Sequence, residues 1–258
     1  MGILQSKVAF ITGADSGIGR ATAIAFAKEG ASVAICYRSD EEGAKETKAR
    51  IEEHGVKALS VKLDVTEEEK VNEVIDRIIA ELGGLDILVN NAAVNGSNIK
   101  VAEMDTKTFD TCIRTNVYGP FFTSRKFVQH LQKSNIKGKI INISSIHEEI
   151  ATPGNADYNA SKGALRNFTR SLALELAESG TTVNNIAPGM ILTPMNQKAM
   201  DDPEQLKEAT SHIPAKRAGK PEEIAQVALF LASPAANYVT GSTYAMDGGL
   251  MINLGQGA

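Results

Sequence analysis

A doubly wound α/β fold, with a parallel sheet between two layers of helices, is the architecture this 258-residue chain predicts. Three observations carry that expectation. Short β-rich runs alternate with longer helical patterns almost to the C-terminus. Most of those runs are continuously apolar rather than alternating, as strands covered on both faces are. No proline- or glycine-rich linker interrupts the rhythm, which favours one domain over residues 1–258. Successive parallel strands of this kind are joined by right-handed helical crossovers. At 43% hydrophobic and 22% charged residues, the chain has the apolar mass to fill a sizeable core.

Val8–Thr12 reads as the first strand, and Val8 to Ile11 is too short an apolar run for a signal peptide or a membrane span. It leads into Thr12-Gly13-Ala14-Asp15-Ser16-Gly17-Ile18-Gly19 and the Ala-rich helix Gly19–Lys28. Glycines allow a sharp turn and close backbone approach to a pyrophosphate, and a helix N-terminus offers free N–H groups and positive potential. Gly13, Asp15, Ser16, Gly17, Ile18 and Gly19 are therefore candidate dinucleotide contacts. Three residues, not one, separate the first two glycines, so the spacing departs from G-x-G-x-x-G.

The second strand, Ser32–Tyr37, should end at the adenosine ribose. A carboxylate there would accept from the 2′-hydroxyl of NAD and repel the 2′-phosphate of NADP. Tyr37-Arg38-Ser39 stands there instead. Arg38 can pair bidentately with a phosphate, and the Ser39 hydroxyl suits either coenzyme. Asp40 is placed to cap the helix Glu41–His54. The expectation is NADP, with dual use of NAD left open.

Asp64-Val65 follows the third strand, Ala58–Leu63. Asp64 can accept from an adenine amino group, or belong to the start of helix Glu67–Leu82 with Thr66 as its cap; both readings stand. The fourth strand, Leu85–Val89, runs into Asn90-Asn91-Ala92-Ala93, a small-residue turn that lets backbone approach a cofactor. A long helical pattern, Lys107–Lys133, carries Asn116. The fifth strand, Lys139–Ile143, ends in Ser144-Ser145, and Tyr158-Asn159-Ala160-Ser161-Lys162 opens helix Asn159–Ser179. After the sixth strand, Thr182–Ile186, the Pro- and Met-containing stretch 190–220 breaks the rhythm, and a long insertion at a strand end suits a substrate lid. Helix Pro221–Ala232 and strand Ser242–Ala245 complete the alternation.

Four residues apart on a helix, Tyr158 and Lys162 share a face. An ordinary phenol titrates near ~10, too high for a base at neutral pH. A neighbouring ammonium and the positive charge of an oxidised nicotinamide both favour phenolate. Ser145 can hold a substrate oxygen against the phenol. Taken alone the Tyr–Lys spacing is common on surface helices; with the glycine turn and a strand-end serine it points to interconversion of a secondary alcohol and a carbonyl.

Thr12-Gly13-x-x-x-Gly17-Ile18-Gly19, Asn90-Asn91-Ala92, Asn116, Ser145, Tyr158-x-x-x-Lys162 and Pro188-Gly189-x-x-x-Thr193 occur in the order found in the short-chain dehydrogenase/reductase family, which the chain resembles over essentially its whole length. The resemblance implies a single Rossmann-type domain with a seven-stranded parallel sheet, assembled as a homotetramer. It implies Tyr158 as acid–base, Lys162 on the ribose hydroxyls, Ser145 on the substrate and Asn116 holding a water in a proton relay. It extends the cofactor contacts to Asn91, Ala92, Ala93, Pro188, Gly189, Ile191 and Thr193, the last near the nicotinamide carboxamide. Ala93 replaces the family's usual glycine, which puts the conformation of that turn in question.

Within the family, Tyr37-Arg38-Ser39, Asn135-Ile136-Lys137-Gly138, Ser144-Ser145-Ile146-His147-Glu148 and the tail Gly255-Gln256-Gly257-Ala258 resemble the bacterial glucose 1-dehydrogenase branch. His147 and Glu148 follow the catalytic serine, and imidazole and carboxylate groups bind sugar hydroxyls well. The expected substrate is β-D-glucose or a related sugar or polyol, oxidised to a lactone. Reduction of 3-oxoacyl thioesters, or oxidation of steroids or sugar alcohols, uses the same catalytic residues. A non-catalytic dinucleotide sensor is disfavoured because Tyr158 and Lys162 are both present.

A net charge of −4 gives no basic footprint for nucleic acid, and no partner of that kind or membrane is expected. Cys36 and Cys112 sit in apolar segments and read as buried thiols, which places the chain in the reducing cytoplasm. His54, His130 and His212 have no partner at metal-ligand spacing, so no metal is expected. Leu172, Leu174 and Leu176 serve either a subunit seam or the core.

Overall fold

The computed structural model describes residues 2–196 and 201–253. Its strands are β1 (Val8–Ile11), β2 (Ser32–Tyr37), β3 (Ala58–Lys62), β4 (Ile87–Asn90), β5 (Lys139–Ile143), β6 (Thr182–Pro188) and β7 (Thr243–Met246). They form one parallel sheet of seven strands in the order β3-β2-β1-β4-β5-β6-β7. The chain winds outward from β1 to β3, then returns beside β1 and winds the other way. That reversal opens a crevice at the carboxyl ends of β1 and β4, where ligands of doubly wound sheets bind.

Alternation along each strand sends side chains to two separate cores. Ile11, Ile35, Val89 and Ile186 face one layer, where they meet Phe26 of helix α1 (Gly17–Lys28) and Ile51 of α2 (Glu41–Glu52). Phe10, Leu88, Ile140 and Val183 face the other, against Ile75 of α3 (Glu68–Leu82). This is why the strand segments read as unbroken apolar runs.

The long helix expected over Lys107–Lys133 is three pieces. Helix α4 (Thr106–Ile113) passes through a π-helical turn, Arg114–Tyr118, into α5 (Gly119–Ser134). Pro120 has no N–H to give the carbonyl of Asn116, so the α-helical ladder cannot continue across it and the turn widens there. Helix α6 (Ala156–Leu176) begins three residues before its predicted start, at Ala156 rather than Asn159, and so takes in Tyr158.

The stretch 190–220 contains a helix the sequence pattern concealed, α7 (Pro203–Ser211). Asp202 caps it, accepting from Glu204 N and Gln205 N, and no residue of α7 is buried, so there is no apolar stripe to read. The base of the excursion is closed by a bridge between Ile191 and Gly219, after which α8 (Pro221–Ala232) packs on the first core layer. Residues 197–200 of this stretch and the tail Gly255-Gln256-Gly257-Ala258 lie outside the described residues.

Candidate active site

The glycine turn after β1 is held from β4. Asn91 Nδ2 donates to the carbonyls of Thr12 (2.9 Å) and Gly13 (2.7 Å), while Asn91 N and Ala92 N donate to Thr12 Oγ1, each at 3.0 Å. The Asn91 side chain, expected at the cofactor, fixes the loop while Asn91 also lines the cleft that runs from it. Gly17 has φ +53°, and a Cβ on Gly19 would lie 2.4 Å from the Gly13 carbonyl oxygen and 2.6 Å from Asn91 Nδ2. Only glycine permits this turn and this approach. Ser16 begins α1 without a side-chain cap, leaving its first N–H groups open to an anion.

A cleft of ≈400 Å³ extends from this turn along the strand ends. Gly13, Asp15, Ser16, Gly17 and Ile18 line its phosphate end, with Ala92, Ala93 and Thr193 further along. Arg38, Ser39, Asp64 and Val65 line the end beside β2 and β3. Ala93 is not among the residues with positive φ, so that turn does not need the family's glycine.

Arg38 is exposed and has no hydrogen-bond or ion-pair partner among the described residues. Asp40 is turned away as the cap of α2, accepting from Gly43 N at 2.9 Å. Asp64 Oδ1 accepts from Thr66 N (2.9 Å) and Thr66 Oγ1 (2.8 Å), so it braces its own turn while lining the cleft. The residue capping α3 is Glu67 rather than Thr66.

Other expected contacts lie off the cleft wall. Tyr37 packs on the core cluster, and Gly19 faces the loop carbonyls. Pro188 ends β6, Gly189 lies against Asp247, and Ile191 is buried in the core. Conversely, Cys36, Leu63, Val94, Asn95, Thr115 and Pro194 line the cleft and escaped the sequence reading. Cys36 and Leu63 directly precede predicted contact segments; no motif marks the rest.

Tyr158 and Lys162, expected at the cofactor, do not line this cleft; they come together with Ser145 behind it, where Asn116 ties their helix to Val94 of the cleft wall. Ser145 closes β5 and starts a short 3-10 turn, Ile146–Glu148, and its hydroxyl accepts from His147 N at 3.2 Å. Burial pushes the Tyr158 phenol up to about 12, while a hydrogen bond with the Ser145 side chain pulls the other way. Lys162 is fully buried, and burial lowers its ammonium to about 8 against the nearby Cys112 and Glu148, which raise it. Its Nζ lies 5.4 Å from the Tyr158 ring centroid and donates to the Ile143 carbonyl at 3.1 Å. The lowering of the phenol expected from this ammonium is not among the causes of its shift, which desolvation of the phenolate dominates.

Asn116 sits in the π-helical turn, buried, with both side-chain polar atoms engaged. Its Oδ1 accepts from Val94 N (2.9 Å), and Nδ2 donates to Val94 O (3.0 Å) and Ser161 Oγ (3.1 Å). The side chain clamps the β4 loop to α6; any water it serves must meet its main chain.

His147 and Glu148 part company. The His147 ring stands edge-on to Tyr158, 5.8 Å between centroids, with Nδ1 3.0 Å from the Ile150 carbonyl oxygen. Glu148, expected at the substrate, instead turns inward: its oxygens accept from Asn185 Nδ2 (3.1 Å) and Thr243 Oγ1 (2.8 Å). Successive residues of a tight turn point apart, and a buried carboxylate needs such donors.

Cys36 and Cys112 are buried and free. Leu172 and Leu176 are buried whereas Leu174 is 81% exposed, which divides that leucine run between core and surface. Among the described residues no helix is long and apolar enough to cross a membrane.

Residues 13–251 match a family model described as enoyl-(acyl carrier protein) reductase. Glucose 1-dehydrogenase 2 of Bacillus subtilis is 41% identical over 249 residues, covering 96% of this chain and 96% of that protein. 3β-Hydroxysteroid dehydrogenase 1 of Eggerthella lenta is 41% identical over 252 residues, covering 96% and 95%. An Agrobacterium tumefaciens protein crystallised with bound NADP superposes with a TM-score of 0.88 at 33% identity, covering 96% of this chain and 98% of that one.

Proposed function

The chain belongs to the short-chain dehydrogenase/reductase family of oxidoreductases, and on that premise we propose that it interconverts a secondary alcohol and a carbonyl, with β-D-glucose or a related sugar as substrate and NADP favoured over NAD. The observation that carries this reading is the convergence of Ser145, Tyr158 and Lys162, on a helix that Asn116 ties to Val94 of the cleft wall.

The cleft suits a dinucleotide on its own features: uncapped N–H groups at α1, a glycine turn with no room for side chains, and a free guanidinium at the far end. Gly13, Ser16, Gly17 and Ile18 would hold the pyrophosphate, Arg38 and Ser39 the adenosine ribose or its phosphate, Asp64 and Val65 the adenine, and Ala92, Ala93 and Thr193 the nicotinamide side. Tyr158 and Lys162 would reach the ribose hydroxyls there. When bound, the dinucleotide supplies a hydride donor or acceptor. Tyr158 exchanges the proton at the substrate oxygen, and Ser145, already bonded to the phenol, holds that oxygen. With the phenol at about 12, Tyr158 is ready as an acid for carbonyl reduction at neutral pH. Alcohol oxidation needs further positive charge beside it.

His147, edge-on to Tyr158, is the side chain placed to meet sugar hydroxyls, and the Bacillus subtilis relative's name supports an aldose. The stretch 190–220, anchored by the Ile191–Gly219 bridge, serves as the lid over the substrate. The description of the matching family model favours a second reading, reduction of an acyl thioester. A panel of aldoses, acetoacetyl thioesters and hydroxysteroids, assayed with both coenzymes, separates them. Thioester turnover without aldose turnover would replace the sugar assignment.

A homotetramer in the cytoplasm completes the reading. Tyr118 and Phe121 of the α4–α5 segment and Leu174 of α6 are exposed apolar groups suited to a self-association face. Light scattering on the eluted protein tests the assembly, and a monomer would remove it.

A further inference from the structure

Behind the catalytic turn runs a row of polar side chains, buried except at its Thr243 edge, that no step of the proposed reaction touches. Asn90, Asn142, Asn185 and Thr243 stand in register across β4, β5, β6 and β7. Asn90 Nδ2 donates to Asn142 Oδ1 at 2.8 Å, and Asn142 Nδ2 donates to Thr169 Oγ1 of α6 at 2.7 Å. The Thr169 hydroxyl donates to Asn185 Oδ1 at 2.6 Å, and Asn185 Nδ2 to Glu148 Oε2 at 3.1 Å. Thr123 feeds the start by donating to Asn90 Oδ1, and Thr243 donates to the last carboxylate. From Thr123 through Asn90, Asn142, Thr169 and Asn185 the donors point towards Glu148, although Asn90 Nδ2 also donates back to Ser124 at 3.1 Å, and the terminus is a carboxylate acceptor.

Such a row is not demanded by folding. A buried polar network adds little net stability over well-packed apolar residues, but it fixes the relative position of its members. What this one fixes is the catalytic turn against the catalytic helix. Glu148 ends the turn that Ser145 begins, donating through its backbone N to the Ser145 carbonyl at 3.0 Å. Asn142 immediately precedes Ile143, whose carbonyl takes the Lys162 ammonium. Thr169 follows Lys162 by about two helical turns and Tyr158 by about three, so all three share one face of α6.

We propose that this row sets the separation of Ser145 and Tyr158, with Thr169 and Glu148 as positioning residues. The inference rests on the catalytic roles proposed above. The Glu148 carboxylate also acts electrostatically, helping Lys162 keep its proton against burial. Arg166, with Nε 3.6 Å from Glu148 and a second contact to Glu149, partners the charge from the outer side.

The test uses the full-length protein as wild type, Thr169→Val, Thr169→Ser and Tyr158→Phe, assayed with D-glucose and NADP+ and with acetoacetyl thioester and NADPH. Valine keeps the shape of threonine but severs the row; serine restores the hydroxyl. Thr169→Val should lose about 10- to 100-fold in kcat, the scale of an ångström-sized misplacement, with KM for the coenzyme unchanged. Thr169→Ser should recover most of it. Wild-type kcat in Thr169→Val, whatever happens to its melting temperature, overturns the proposal, as does failure of Thr169→Ser to restore the rate.

If Thr169→Val does not fold, Glu148→Ala cuts the row at its end. Glu148→Gln is its rescue, because the amide oxygen can still accept from Asn185. Glutamine removes the charge beside Lys162, so it should recover part of the rate; wild-type kcat in Glu148→Ala, or glutamine no better than alanine, is again fatal. Activity surviving in Tyr158→Phe instead refutes the catalytic reading on which the row depends. Should neither substrate be turned over by the wild type, crystal structures of wild type and the severed variant decide. An unchanged Ser145–Tyr158 separation overturns the inference, and a widened one supports it.

Discussion

Lys162 Nζ lies 5.4 Å from the centroid of the Tyr158 ring, drawn to the far side by its bond to the Ile143 carbonyl. The two groups are shifted by the same cause in opposite chemical senses. Burial disfavours whichever form is charged, so the phenol rises to about 12 and the ammonium falls to about 8. Lys162 is therefore the first of the pair to change state above neutrality. In carbonyl reduction the acid form of Tyr158 and the charge on Lys162 are both needed. That charge is present below about 8 and lost above it. The pH profile of kcat/KM, which reports the free enzyme, should fall as pH rises through about 8. A profile flat to pH ~10, the range of an ordinary lysine, would show that the Lys162 charge is not required.

The same shift has a stability counterpart. The unfolded chain keeps the lysine proton up to its ordinary 10.5, whereas the folded chain releases it near 8. Between those values the unfolded state binds more protons, so this residue makes folding more favourable as pH rises across the window. Lys162→Met removes the titration. The melting temperature of wild type relative to the variant should rise from pH 8 towards 10.5. A gap independent of pH would contradict the assigned burial of the charge.

Tyr158→Phe deletes the proton donor and leaves the ring. Its edge-on contact with His147, 5.8 Å between centroids, can persist, and the hydroxyl's bond to Ser145 is what disappears. General acid–base catalysis is worth about 10²- to 10⁴-fold, so kcat should fall by that order with coenzyme binding retained. Steady-state rates and coenzyme fluorescence titration measure the two separately. Loss of binding in step with rate would mean the residue holds the coenzyme rather than moves the proton.

Gly19→Ala tests whether the glycine turn is a shaped cradle. The added Cβ would sit 2.4 Å from the Gly13 carbonyl oxygen and 2.8 Å from Ala14 Cα, both backbone atoms that cannot rotate away. Overpacking of this kind costs about 1–3 kcal/mol. The variant should melt earlier and bind NADPH more weakly even though Gly19 does not line the cleft. Wild-type affinity would show that the turn adapts.

The central strands were legible because each carries an apolar run that both cores demand, and Pro221–Ala232 was legible because Pro221 opens it and its buried residues recur on one face. Helix α7 was not, since nothing on it is buried. Ser145, Tyr158 and Lys162 could be assembled from motif order alone. Glu148 could not be placed, because adjacency to Ser145 in sequence suggests the substrate while the 3-10 turn sends it to Asn185. Asn142 lies inside an apolar run and Asn185 beside Asn184, where nothing in the sequence links the two strands. Only the strand order makes them neighbours.

The proposed preference for NADP rests on Arg38. It lines the cleft with Ser39, free of partners among the described residues, while Asp40 is occupied as the α2 cap. Asp15, whose carboxyl is raised by burial and, more weakly, by Asp40, lines the same cleft. A 2′-phosphate placed there therefore needs a cation to offset the acidic neighbours. A hydrogen bond to a charged group is worth about 1.5–3 kcal/mol, so Arg38→Ala should weaken NADPH binding by about 10- to 100-fold. NADH, with a hydroxyl in place of the phosphate, should bind nearly as before. Titration of both reduced coenzymes gives the comparison directly. Equal loss for the two would assign Arg38 to the shared adenosine, and no loss for either would leave preference to Ser39 and the backbone.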